Sequence, residues 1–405
     1  MIILYPILLS LLAFRYYKSK QRTPLSLFVV LYYLFSSLTA TYLYYSDSSN
    51  KFDIINITFH SVLYHFFCLF LLIEGFHQIE KKTEIELPHI MFGKLFYILM
   101  PLIIMSFVSI YDSINLIREV SGMSVIEMRT AYFQQELYYS RSGMLISYIN
   151  NISHILYPIY IFFFFYISHY YPKQILFAVL LIISSLSIVV ANLTIAGRDA
   201  IVQWMIMFSC LFILFRPLMT KNLKRSILLL GSIIAILASI IFVFITMQRF
   251  GEKSKDIIDS FLSYYGQGFI NFSKYFELFH DGSLFGRSTF PAIFPVEERV
   301  SIVGLNYTFP SINFELNVFT TLIGSFYMDF GYFGTIALCI SIFLLFMLIK
   351  KLYRNDFAYY FLLVFVLQIL ICGVFYFMQY SLMFQKIFAV LLVFSIYKKL
   401  MRSLN

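Results

Sequence analysis

The chain has 405 residues, 60% of them hydrophobic, 20% aromatic and only 13% charged, a balance that excludes an ordinary soluble globular domain. Lipid is the solvent such a composition calls for, and its long apolar runs read as helices, giving an all-α, polytopic membrane fold. The formal net charge of +9 is gathered in short clusters between apolar runs, a pattern of cytoplasmic loops that excludes nucleic acid as a partner.

The first apolar run carries its basic residues, Arg15, Lys18, Lys20 and Arg22, after it rather than before it. That order is the reverse of a secretory signal and predicts a retained first span with an external N-terminus. Apolar runs then predict about eleven spans. They lie near 1–17, 25–45, 56–76, 94–112, 144–169, 175–196, 200–216, 226–246, 331–349, 357–376 and 385–397. Basic clusters follow at Arg216, Lys221, Lys224 and Arg225, at Lys350, Lys351 and Arg354, and at Lys398, Lys399 and Arg402. With the positive-inside bias they predict a cytoplasmic C-terminus for one membrane domain over 1–405. Cys68, Cys210, Cys339 and Cys372 each fall inside an expected span, so no disulfide framework or paired-cysteine metal motif is expected.

Two polar stretches interrupt the hydropathy, one at 113–143 and one at 247–316. The same alternation places both outside the cytoplasm, as a first and a large external loop. Loops this long are functional or disordered, and their Tyr and Phe content argues against disorder. Short helices are expected at DIIDSFLSYY and FSKYFELF within the larger one.

The run NVFTTLIGSFYMDFGYFGTIALCISIFLLFMLIKK at 317–351 resembles the late segment of bacterial oligosaccharide repeat unit polymerases of the O-antigen type. The turn TIAGRDAIVQWMIMF at 194–208 is similar to that family's Gly-Arg turn between central spans, and MRTAYFQQ around Arg129 is a looser match. The resemblance implies a multi-span enzyme of the bacterial inner membrane with a large periplasmic loop. It implies transfer of a growing glycan from undecaprenyl pyrophosphate onto another lipid-linked repeat unit at the periplasmic face. Partners would be those lipid-linked oligosaccharides, membrane lipid and a chain-length regulator protein.

In that reaction the bond from the anomeric carbon to a phosphate oxygen breaks, and negative charge builds on the leaving pyrophosphate. Soluble glycosyltransferases commonly answer it with a divalent metal on an Asp-x-Asp motif. This chain has no such motif, so no metal or other cofactor is expected, and arginine is the remaining solution because its guanidinium stays charged and forks onto phosphate oxygens. Arg198 is the first candidate, with Gly197 before it allowing a tight turn; its structural reading is an interfacial arginine that snorkels or pairs with Asp199. Arg249 offers a second guanidinium or a membrane-boundary anchor. Arg129, Arg141, Arg287 and Arg299 are loop cations that read as ligands or as solvated residues.

Asp329, at the expected outer mouth of the ninth span, reads as a base, as a partner orienting an arginine, or as the cap of a helix starting near Gly331. Asn313 and Asn317 suit sugar hydroxyls or helix caps. Tyr132, Tyr138, Tyr139, Tyr264 and Tyr265 suit sugar rings or an interfacial belt. His60 and His65 are five apart and do not share a helical face, and His154 and His169 stand alone; His280 lies in the large loop as a further substrate contact. The competing readings are an O-antigen ligase of similar fold and a flippase or other transporter. Against the latter stands the absence of any sequence duplication. A purely structural scaffold has no feature in its favour.

Overall fold

The protein is described from a computed structural model, which covers residues 1–19, 23–46, 57–81, 87, 89–124, 127–128, 143–194, 197–250, 254–278, 320–352 and 357–375. Among these residues there is no strand. In chain order the helices are α1 (Leu4–Tyr17), α2 (Pro24–Tyr45), α3 (Phe59–Glu80), α4 (Phe92–Val120), α5 (Met144–Ile155), α6 (Tyr157–Tyr170) and α7 (Ile175–Ser185). They continue as α8 (Ser187–Leu193), α9 (Asp199–Phe215), α10 (Lys221–Phe250), α11 (Ser254–Leu278), α12 (Thr321–Leu352) and α13 (Phe357–Cys372).

Six helices are long and apolar enough to cross a membrane, or seven if the bent α5–α6 pair is one span. Three shorter apolar helices, Leu4–Tyr17, Asp199–Phe215 and Tyr359–Cys372, fall on the expected spans at 1–17, 200–216 and 357–376. The span expected at 385–397 lies outside the described residues. The chain is thus transmembrane in character by the length and composition of its helices. α10 shows it most directly, with Ile236, Ile240 and Phe244 along its length each more than half exposed, a surface that only hydrocarbon tolerates.

Several details differ from the sequence expectation. The segment at 144–169 is not one straight span: α5 and α6 are bent by 53°, where Pro158 opens the new helix with a ring that lacks an N–H. The segment at 175–196 is interrupted at Leu186, between α7 and α8. The short helices expected within 247–316 are one helix, α11, of 25 residues. A helix begins after Gly331, as expected for the ninth span, but a further helical stretch from Thr321 runs into it. Gly331 is the kink between the two, at φ 65 and ψ −168, a backbone region that only glycine occupies without strain.

The chain forms two compact units, Met1–Glu84 with Ile258–Asn405, and Ile85–Ile257. In the first, α3 lies along α12, α1 packs on α2, and α13 packs on α2 and α3. Helix starts here borrow their partners from other helices. Thr23 precedes α2 but makes no capping bond with its side chain. The buried Glu80 carboxylate serves instead, accepting the Leu25 and Ser26 backbone N–H groups at 2.7 Å each and the Ser26 hydroxyl. At the start of α12, Thr320 N and Thr321 N donate to Phe375 O and Leu322 N donates to Gly373 O.

The C-terminal ends of α1, α3 and α12 meet in a polar network. Arg15 and Tyr16 both reach Glu74, at 3.3 and 3.0 Å, while Gln78 bonds Glu74 at 2.6 Å and accepts from Lys350 at 2.9 Å. α11 is built into the same unit: Ser36 donates to Tyr265 O at 2.5 Å, and Phe269, Phe272 and Tyr275 are fully buried.

In the second unit, α6 is buried at every residue from Tyr157 to Ile167. It packs on α7 and α9 through ring contacts such as Phe162 with Phe215 at 5.1 Å and Phe165 with Phe208 at 5.2 Å. Serines at the α7–α8 break bond to neighbouring helices: Trp204 Nε1 donates to Ser185 Oγ at 2.9 Å, and the Ser187 hydroxyl donates to Ser153 O at 3.4 Å. All four cysteines are free and buried.

The approach of α11 to α2 gives a stability test. A Cβ on Gly266 would lie 2.7 Å from Ala40 N and 2.8 Å from Thr39 C, both backbone atoms. Gly266→Val therefore forces the helices apart and costs about 1–3 kcal/mol or more, read as a lower melting temperature of the purified protein in detergent. Unchanged melting would mean that the two helices do not approach this closely.

Candidate functional site

The turn that carries Arg198 is set by its neighbours. α8 ends at Leu193, and the Thr194 hydroxyl turns back onto Ala191 O at 2.6 Å. Gly197 N then donates to Asn192 O at 2.8 Å. A Cβ on Gly197 would lie 2.7 Å from Asn192 Oδ1 and 3.2 Å from Asn192 O, so a larger residue here would have to displace the Asn192 side chain. Arg198 follows as the residue preceding α9, with Asp199 in the first helical turn, where a carboxylate favours the helix N-terminus.

The Arg198 side chain is buried, 7% exposed. Its Nη1 donates to Thr246 Oγ1 at 2.7 Å, and the Thr246 hydroxyl donates in turn to Phe242 O at 2.6 Å. The guanidinium carbon stands 5.2 Å from the centre of the Phe242 ring, within cation–π range. Phe242 and Thr246 are one turn apart on α10, and the Arg249 side chain lies outside the described residues. A guanidinium does not lose its proton in a protein, so burying Arg198 carries a desolvation cost that its contacts must offset.

In the other unit, Asp329 is fully enclosed. It sits two residues before the Gly331 kink, where the helical stretch from Thr321 gives way to the next. Beyond the break, Tyr64 donates to Tyr332 O at 2.6 Å, and His60 Nε2 lies 3.0 Å from the Tyr332 hydroxyl. Glu277 on α11 accepts the Thr58 hydroxyl at 2.8 Å. The two histidines considered together in the sequence part company here. His60 is exposed, while His65 is buried, with its Nε2 2.8 Å from Thr321 Oγ1.

Arg129, Tyr132, Arg141, His280, Arg287, Asn313 and Asn317 lie outside the described residues. Near the first of them, Ser124 and Glu127 close a capping box: Ser124 N donates to Glu127 Oε2 at 2.6 Å and Glu127 N to Ser124 Oγ at 3.2 Å. The Ser124 backbone N–H, then its hydroxyl, hold the Glu127 carboxyl below the usual carboxylate range. Among the described residues no group of three or more His, Cys, Asp or Glu side chains is placed to hold a metal ion.

Thr246, Phe242, Tyr332 and Glu277 were not singled out in the sequence. Only the one-turn spacing of Phe242 and Thr246 hinted at a shared face. In comparisons with known proteins, no family model matches the chain, and no curated protein or solved structure matches it either.

The Arg198 contact yields its own test. Thr246→Val keeps the side-chain volume but removes the oxygen that accepts from Arg198, and it should lower stability by about 1–3 kcal/mol, the cost of stripping a buried charged group of a partner. Thr246→Ser, which keeps that oxygen, should fall near wild type in the same chemical denaturation series. Equal losses for both variants would show that the bond contributes nothing.

Proposed function

We infer that the chain is a membrane glycan polymerase of the oligosaccharide repeat unit type. It would move a growing glycan from undecaprenyl pyrophosphate onto the non-reducing end of another lipid-linked repeat unit. The observation that carries this reading is the buried Arg198, held at a glycine turn between apolar helices, in the stretch that resembles the family's Gly-Arg turn. Ionisable groups within membrane helices are costly and mark functional sites by default.

The chemistry asks for little else. An acceptor hydroxyl attacks the anomeric carbon, its proton leaves to a base or to water, and the carbon–oxygen bond to phosphate breaks with its electron pair staying on the pyrophosphate. A fixed cation in a water-poor site lowers the energy of that charge as it develops. Arg198 supplies it, with Arg249 as a second contact. Asp329 is the candidate for that base or for orienting an arginine. In this reading the enzyme sits in the bacterial inner membrane with its N-terminus and both long loops periplasmic and its C-terminus cytoplasmic. A chain-length regulator would be its protein partner.

Arg198→Ala should insert normally yet give glycans of a single repeat, and Arg198→Lys should retain only part of the polymer because a point charge replaces a fork. Polysaccharide gels read both. A full ladder from Arg198→Ala would end the assignment, and so would labelling that places residue 198 in the cytosol. Deleting the gene separates the neighbouring activities: a lost polymerase leaves core plus one unit, a lost ligase leaves none attached, and a lost flippase leaves units trapped inside.

A further inference from the structure

The unit that contains α3, α11 and α12 gathers a nest of aromatic rings with one polar edge. Tyr332 lies on Tyr64 with ring centres 4.6 Å apart, and on Phe276 at 6.0 Å; His60 closes the group against Phe276 at 5.1 Å. Phe272 and Tyr327 seal the inner side, both essentially buried. The outer side differs. His60 is exposed, Tyr332, Thr58 and Glu277 are half-buried, and Phe333, whose ring packs edge-on to Tyr332 at 5.1 Å, is 82% exposed. Glu277 follows Phe276 directly and is steadied by the Thr58 hydroxyl. The charge pattern of the sequence assigns this end of α3 and α12 to the outside of the cell.

The mixture of groups selects a ligand class. Hydrocarbon tails would leave Glu277 and His60 unanswered. A phosphate headgroup would be repelled by the carboxylate, and a divalent cation wants six or more oxygens, far more than one side chain offers. A saccharide ring answers every group: its C–H face packs on aromatic rings, and the hydroxyls on its rim donate to a carboxylate and exchange hydrogen bonds with imidazole and phenol. We propose that this platform is a saccharide-binding site, with the Tyr332 and Phe333 rings as the stacking surface and Glu277 and His60 holding ring hydroxyls. No bond is made or broken there. The proposal rests on the polymerase reading for its ligand, the chain's own glycan.

The test uses the full chain in lipid nanodiscs and two probes. One is the oligosaccharide released by mild acid from the lipid-linked units of the cells that carry the gene; the other is undecaprenyl pyrophosphate without sugar. Glu277→Gln keeps the oxygen that accepts from Thr58 while removing the charge, and His60→Ala removes an exposed ring, so neither disturbs the buried packing. Both variants should bind the oligosaccharide roughly tenfold more weakly than wild type and bind undecaprenyl pyrophosphate equally well. Wild-type affinity for the oligosaccharide in both variants overturns the platform and leaves the Arg198 reading standing. Weakened oligosaccharide binding in these variants, beside a full glycan ladder from Arg198→Ala, keeps the platform and ends the polymerase assignment. No oligosaccharide binding by wild type overturns the platform outright.

Discussion

Hydrocarbon supplies no hydrogen-bond partner, so a helix that starts, stops or breaks in or near it must find its donors and acceptors within the protein. In the first unit that requirement dictates much of the packing. The start of α2 is answered by a carboxylate from the end of α3, through Glu80, and the start of α12 by carbonyls just beyond α13. Just beyond the break at Gly331, the Tyr332 carbonyl takes the hydroxyl of Tyr64 on α3. Each of these bonds ties together segments far apart in the chain. The polar groups thereby fix which helices are neighbours, while the apolar surfaces, alike on every helix, do not distinguish one neighbour from another.

Charge follows the same logic more strictly. Arg15, Glu74, Gln78 and Lys350 form a shared network at the ends of three helices, with the Arg15 side chain 55% exposed. Arg198 is different, because it is buried and has no neutral form to retreat to. Its contacts with Thr246 and Phe242 come from a single face of α10, so the turn after α8, the start of α9 and the far end of α10 are held as one local structure. The tightness of the Gly197 turn then has a clear purpose: it sets the guanidinium where α10 can receive it.

The helical class and the positions of most spans were legible in the sequence, because apolar length is the strongest signal a membrane chain carries. The bend between α5 and α6 was also written there, in Pro158, but a continuous apolar run hides a bend from any reading by hydropathy. The helix start near Gly331 was legible as well, and what the sequence hid was the helical stretch from Thr321 that runs into it. α11 was half legible: its polar face marked it as something other than a span, and nothing local announced that Phe269, Phe272 and Tyr275 would be core residues. Arg198 could be picked out by charge and a preceding glycine, whereas Thr246, forty-eight positions away, and the His60–Tyr332 pair are long-range contacts that no local pattern encodes.

Both candidate centres lie where an apolar helical run is interrupted, one at the turn after α8 and one at the Gly331 break. An unbroken helix in lipid spends all its backbone polarity on itself and offers only side chains to a ligand. A break costs those bonds, so a chain under selection for stability alone has reason to lose it. The breaks here are stabilised by specific partners rather than left open, and polar or charged side chains gather beside them: Asn192 and Arg198 at one, Asp329 and Tyr332 at the other. A polyprenyl-linked sugar has an apolar tail that needs continuous helices and a polar head that needs interruptions. Long helices broken at defined points, each break lined by polar side chains, are what the proposed reading asks of each unit.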